Sequence, residues 1–237
     1  MATRTITENV NQAVQDFDNI KQAIIDKGIE VPNGTPTSEY ADKIGTIKIN
    51  GLDTSTVTDF KYFAQNDRFT EEQLQNINTS KGTSFVSMFY NCTNLTTIPQ
   101  LDTSNGTNFN SMFGDCISLT TIPQLNTSSV TNFDSMFNGC KSLTTVELTS
   151  FISSSSMFYN CSALENLTVT GTITVNNNNL NLSYSPLLTV ESLMSVINAL
   201  SDNTGGTTYT VTLGATNLEK LTDEQKQIAI DKNYTLA

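Results

Sequence analysis

The chain contains no histidine. That removes Ser-His-Asp and Cys-His arrangements, and with them the commonest general base. Basic residues are scarce: 12 Lys and Arg stand against 23 Asp and Glu, a formal charge of −11. A surface so poor in cations cannot neutralise phosphates, so neither nucleic acid nor an anionic membrane is an expected partner. Solubility is the expected role of the charge. No run approaches the roughly 20 apolar residues of a membrane span, so no membrane insertion is expected. The start, Met1-Ala2-Thr3-Arg4-Thr5-Ile6, lacks the basic-then-apolar layout of a secretion signal. Cytoplasmic synthesis and retention, or release by another route, is therefore expected. Neither a Cys-x-x-Cys spacing nor a Gly-rich phosphate loop occurs, so no metal or cofactor is expected. With 37% hydrophobic and 15% charged residues, the balance is Thr, Ser and Asn. These favour turns and short exposed strands over long amphipathic helices.

What is there is a repeat. Met88-Phe89, Met112-Phe113, Met136-Phe137 and Met157-Phe158 are followed four positions after each Met by Cys92, Cys116, Cys140 and Cys161. Leu95, Leu119, Leu143 and Leu164 come three further on, then Ile98, Ile122, Val146 and Leu167; Phe85, Phe109 and Phe133 precede the first three Met residues. Self-similarity at this period is the mark of a stacked architecture. Val57-Thr58-Asp59-Phe60 echoes Val130-Thr131-Asn132-Phe133 as an older copy without its Met and Cys. Within a unit, Phe133, Met136 and Phe137 have the i, i+3, i+4 spacing of a short helical turn. Leu143–Leu148 is rich in β-branched residues and reads as a short strand, which Pro99 and Pro123 help to end in their own copies. Each coil leaves an apolar side for its neighbour, so stacking completes the core. One Cys per coil reads as a ladder of buried thiols, with disulfides or a metal site as the alternatives.

The ends read differently. Ile6, Val10, Ala13, Phe17, Ile20 and Ile24 form a seam of nearly three heptads. It is either a coiled coil making a dimer or trimer, or a helix packed on its own domain or on a larger partner. Turns at 28–36, a short helix at 38–44 and a linker to about residue 55 follow. Residues 171–181 read as a degenerate last coil with its turn at 176–179. A helix over 190–200 follows, with Val190, Leu193, Met194, Ile197 and Leu200 on one face. A strand at 209–213, a helix opened by the capping box Thr222-Asp223-Glu224-Gln225 and a closing strand at 234–236 complete a cap.

The unit running from Leu101-Asp102-Thr103-Ser104 through Met112-Phe113-Gly114-Asp115-Cys116 to Leu119 resembles the BspA-like leucine-rich repeat of bacterial surface proteins, over roughly residues 57–170. The run Leu213-Gly214-Ala215-Thr216-Asn217-Leu218 with Leu221–Lys226 resembles the cap that follows such repeats in bacteriophage and prophage proteins. The stretch 20–35, ending in Tyr40-Ala41-Asp42-Lys43-Ile44, is similar to segments of phage tail and minor structural proteins. These resemblances imply an α/β fold: a leucine-rich-repeat (BspA-like) solenoid of about four to six 24-residue coils with short parallel strands. An N-terminal helical segment (1–50), the repeats (51–185) and an α/β C-terminal cap (186–237) are the expected divisions. They further imply a virion protein, a fibre, decoration or tail-tip component, made in the host cytoplasm. Other virion proteins would bind its N-terminal helix. A cell-surface adhesin is the alternative, although the signal and wall anchor expected of one are not seen.

Three function classes remain: an enzyme, a binding module, and a purely structural capsid or tail component with no ligand. A glycosidase needs only two carboxylates, but Asp102, Asp115, Asp134, Glu147 and Glu165 are scattered through the coils, and the expectation is no enzyme. A binding module would use the exposed strand face: Thr96, Thr97 and Gln100, then Thr120, Thr121 and Gln124, then Thr144, Thr145 and Glu147. Such a ladder of hydroxyls and amides suits a host-surface glycan or protein. Repeats also copy plain solvent-facing residues, and Thr suits any exposed strand.

Overall fold

The computed structural model describes residues 54–75, 77–176 and 179–237, all within one compact unit, Ile47–Ala237. The helix seam Ile6, Val10, Ala13, Phe17, Ile20 and Ile24, the rest of the 1–50 segment, and Asn177 and Asn178 of the expected turn lie outside the described residues.

Parallel bridges link Asp59 to Ser84, Ser84 to Asn108 and Asn108 to Asn132, so each repeat lies directly against the next. A second set joins Thr121 to Thr145 and Leu125 to Leu148. Regular strands appear only where proline is gone. β1 (Thr145–Leu148) pairs in parallel with β3 (Asn166–Val169). Thr121 to Leu125 spans one residue more than Thr145 to Leu148, and the surplus falls at Ile122-Pro123. Proline has no N–H for the ladder, and an extra residue bulges the strand. Ile122 is accordingly only half-buried, whereas Val146 and Leu167 are fully buried. β2 (Phe151–Ile152) pairs in parallel with β4 (Ile173–Thr174). β5 (Leu180–Asn181), β6 (Tyr209–Thr212) and β7 (Tyr234–Leu236) make a three-stranded parallel sheet. Among the described residues the architecture is thus mixed helix and strand, with short parallel strands and no closed barrel.

The Phe-x-x-Met-Phe segment is not the helical turn its spacing predicts. Phe85, Met88, Phe89 and Cys92 are all fully buried, as expected. Their backbone, however, alternates between two kinds of hydrogen bond. Phe85, Ser87, Phe89 and Asn91 donate their amides to Asn108, Asn110, Met112 and Gly114 of the next repeat, at 2.7–2.9 Å. Met88, Tyr90 and Cys92 donate three residues back, at 3.1–3.2 Å. Such alternation requires a left-handed residue at every fourth position: Ser87 and Asn91 (φ 51° and 57°), Ser111 and Asp115 (52° and 58°), Ser135 and Gly139 (56° and 78°). Ser, Asn, Asp and Gly are among the residues that tolerate this region.

Two columns of phenylalanine fill the core. Phe89, Phe113, Phe137 and Phe158 stack face to face at 5.5–5.6 Å. Phe60, Phe85, Phe109, Phe133 and Phe151 form the other column, mostly edge to face. Phe60 thereby confirms the older copy at 57–60 as a rung of the stack, with Phe63 and Ala64 following it at the spacing of Met88 and Phe89. A third column escaped sequence reading. Thr54, Thr79, Thr103 and Thr127 are buried, and each hydroxyl donates to a carbonyl of the next repeat. Its sequence mark was the triplet Asn78-Thr79-Ser80, repeated as Asp102-Thr103-Ser104 and Asn126-Thr127-Ser128. The first side-chain oxygen of each triplet accepts from the Ser amide and hydroxyl two residues on.

α1 (Glu71–Leu74) and α3 (Ala215–Leu218) are short helices the sequence did not predict. α2 (Val190–Ala199) matches the expected helix, but its buried face is Leu193, Val196, Ile197 and Leu200, while Val190 and Met194 are half-buried. α4 (Asp223–Asp231) opens on the capping box as read, and β7 closes the chain.

All four cysteines are free and buried, and each thiol donates to a carbonyl of the preceding repeat at 2.9–3.0 Å. Burial pushes Cys161 up to about 12 and raises Cys140 well above the ordinary thiol range. Such thiols stay protonated and inert. Leu182, Ser185 and Leu188 follow Phe158, Cys161 and Leu164 by 24 residues, are fully buried, and repeat the same three-residue amide bonds. Ser185 thus stands where a cysteine would, yet its Oγ has no partner. A buried unmet hydroxyl costs about 1–3 kcal/mol. Ser185→Cys, which replaces the unmet hydroxyl with a less polar thiol of the kind the other rungs bury, is expected to raise stability by about 1 kcal/mol. Urea unfolding reads the gain, and a loss would mean the site is shaped for serine.

Candidate binding surface

Seven of the nine strand-face residues are exposed; Thr144 and Glu147 are half-buried. Leu95, Ile98 and Leu101 of the same segment are buried in the core. Hydrogen bonding then divides the face into two kinds of position. The Thr120 hydroxyl donates to the Thr96 carbonyl and the Thr144 hydroxyl to the Thr120 carbonyl, both at 3.1 Å. The Thr96 hydroxyl donates to Glu71 at 2.6 Å. Those three donors hold repeats together. Thr121 and Thr145 sit side by side in the bridged register with exposed side chains, and Thr97 precedes Thr121 by one repeat.

Gln100 and Gln124 stand at the rim of a shallow groove of about 520 Å³ that runs over Asp102, Ser104, Asn126 and Ser128. Gln100 donates to the Gln124 carbonyl, and Gln124 to the Glu147 carboxylate, each at 3.0 Å. Spatial order therefore follows the sequence order Gln100, Gln124, Glu147.

Both edges of this face are covered. At one end Glu71 accepts from the Thr96 amide and hydroxyl and the Thr97 amide, at 2.6–3.0 Å. At the other end α2 lies on β3: Ser192 Oγ accepts from the Leu167 amide and Ser195 Oγ from the Val169 amide. Covered edges cannot template strand addition, which leaves the outward side chains as the available surface. Sequence reading missed Glu71, Ser192 and Ser195, because nothing local marks a residue that will meet a strand about 25 positions away.

The Glu71 cap makes stability respond to acid. Hydrogen bonds from the Thr96 side chain, then its backbone and that of Thr97, hold the Glu71 carboxyl below its ordinary 4.5. A depressed folded value contributes stability that is full above the unfolded value and lost as pH falls through the folded one. Glu71→Gln is therefore expected to lose less stability than the parent on acidification below about 4.5. Thermal melts across that range check it; parallel pH profiles would show that the carboxylate is not engaged.

Among the described residues, no group of three or more Cys, Asp or Glu is placed to hold a metal ion. No helix there is long and apolar enough to cross a membrane.

The bridges between repeats from Asp59 to Leu148, 23 to 25 residues apart, define a repeat protein with short parallel strands. Its sequence matches the family described as "Mycoplasma protein of unknown function, DUF285" over residues 39–120 and 58–172, together more than half of the chain, and the protein belongs to that family. No curated protein and no solved structure matches it.

Proposed function

We propose that the repeats form a BspA-like leucine-rich-repeat solenoid, and that the protein is a non-enzymatic structural component of a phage virion, a fibre or decoration. On this reading the repeat domain meets a host-surface glycan or protein. The N-terminal seam from Ile6 to Ile24 mounts the chain on other virion proteins or on copies of itself, as a dimer or trimer. The virion is then its location, after synthesis in the host cytoplasm.

The observation that carries the binding half is the strand face. Thr97, Thr121, Thr145, Gln100 and Gln124 project from a backbone bonded rung to rung, with both edges covered. Polar groups held on a rigid scaffold bind with less ordering cost than the same groups on a loop. One observation favours a ligand-free structural role instead: Thr96, Thr120 and Thr144 spend their hydroxyl donors inside the stack.

Retention of the purified chain on bacterial envelope polysaccharide tests the reading. Reversible retention with no new reducing ends supports it; new reducing ends would mean an enzyme, and no retention would leave the structural role. The mounting half is tested by solution mass, beside a chain starting at Gly51. A dimer or trimer that becomes monomeric on truncation supports it, and a monomer in both forms removes self-association.

A further inference from the structure

The residue after each Met-Phe pair recurs from repeat to repeat as a column separate from the strand-face residues: Tyr90, Gly114, Asn138, Tyr159. The preceding phenylalanines are fully buried. Phe89, Phe113 and Phe137 donate their amides to the next repeat, and the Tyr159 carbonyl accepts from the Gly139 amide at 2.8 Å, so the column is fixed to the stack. A side chain at Gly114 would meet the Tyr90 ring at 2.9 Å, so that ring lies across the Gly114 rung. The Asp115 carboxylate beside the Tyr90 hydroxyl raises the phenol above its ordinary value. Asp115 in turn occupies the space that Gly139 leaves open. At the far end, Tyr159 and Tyr184 are 44% and 42% exposed, and their rings pack at 4.4 Å with a 54° tilt. Three rungs separate Tyr90 from Tyr159, about 15 Å at strand spacing, the reach of a short oligosaccharide.

We infer that this row is a binding site for a neutral oligosaccharide, with Tyr159 and Tyr184 stacking on the apolar face of one sugar ring, Tyr90 on another, and the Asn138 amide between them meeting hydroxyls. Aromatic faces present large rigid area at small entropic cost. A planar amide offers both donors and acceptors, which suits a sugar's hydroxyls. The row carries no cation to hold a phosphate or carboxylate. Residues 81–170 as a whole carry only seven charged side chains, so a neutral chain fits better than a polyanion. The strand face has hydroxyls but no aromatic ring, and part of its donor capacity is spent internally. The inference rests on the proposed reading of the protein as a surface-binding module, and it adds the tyrosine row to the surfaces through which that module meets a sugar.

The chain has no tryptophan and seven tyrosines, so its emission reports tyrosine stacking directly. The experiment titrates the full chain with short neutral hexose and N-acetylhexosamine oligomers and follows tyrosine fluorescence. Parallel titrations use Tyr159→Ala/Tyr184→Ala, Tyr159→Phe/Tyr184→Phe and, on the strand face, Thr121→Lys/Thr145→Lys. All these side chains are exposed, so the core is left filled, and circular dichroism confirms folding of each variant. The expected result is binding by the parent, at least about a tenfold loss in the alanine variant, and near-parent affinity in the phenylalanine variant. Binding lost only in the strand-face variant would overturn the tyrosine site while keeping the proposed function. Retention on envelope polysaccharide without affinity for any neutral oligomer would overturn neutral-sugar recognition alone. Failure of both assays would remove the binding reading itself.

Discussion

Phe113→Ala is expected to lower the free energy of unfolding by about 3–5 kcal/mol. Phe113 is fully buried and stacked between Phe89 at 5.5 Å and Phe137 at 5.6 Å. Removing the ring deletes two aromatic contacts and opens a cavity that neighbouring rungs cannot fill. Their backbones are fixed by Phe89 donating to Met112 and Phe113 donating to Met136. A domain of this size has only about 5–15 kcal/mol in total, so the loss is a large fraction of it. Stability in stacked repeats is a chain of nearest-neighbour couplings, and a break in the middle should also uncouple the two halves. Urea unfolding followed by circular dichroism and tyrosine emission should therefore show a lower midpoint and transitions that no longer coincide. A loss below about 1 kcal/mol would mean the ring columns carry little of the stability.

Gly171→Ala is expected to cost about 1–3 kcal/mol, although it adds a single methyl group. A Cβ at Gly171 would overlap the Thr149 carbonyl oxygen and the Ser150 Oγ. Neither can retreat freely. Thr170 donates to the Leu148 carbonyl and Phe151 to the Thr172 carbonyl, holding both backbones on either side of the contact. Ser150 Oγ also accepts the Thr172 amide at 2.9 Å, and displacing it would strand that donor. Alanine normally stabilises relative to glycine by narrowing the unfolded ensemble, so the sign alone is informative. A melting temperature equal to or above the parent's would contradict the close approach.

The repeat was legible in sequence because every rung buries the same positions. Phe, Met, Phe, Cys and Leu recur in register, and each lies in the core with its thiol free, as the spacing predicted. The backbone between them was not legible. An i, i+3, i+4 apolar pattern arises from a helix and equally from turns hinged at left-handed Ser87 and Asn91, and side-chain burial does not separate the two. The α2 face was misplaced because Val190 and Met194 are as apolar as Val196, and only packing on β3 chooses among them. For the candidate surface, exposure was readable and bonding was not. Thr96 and Thr97 look alike in the chain, yet the Thr96 hydroxyl is spent on Glu71, 25 residues earlier.

Every surface argued above depends on the outward residues being held by rung-to-rung backbone bonds, and amide hydrogen exchange read residue by residue tests this directly. Ser87, Asn91, Ser111 and Asp115 lie in turns, three of them with half-exposed side chains, where isolated turns would exchange fast. Each of these amides nevertheless donates to the next repeat at 2.7–2.9 Å. The expected result is strong protection at all four, recurring every 24 residues and approaching the global stability. Exchange at unprotected rates there, with protection confined to β1, β3 and α2, would contradict the stack and every surface built on it.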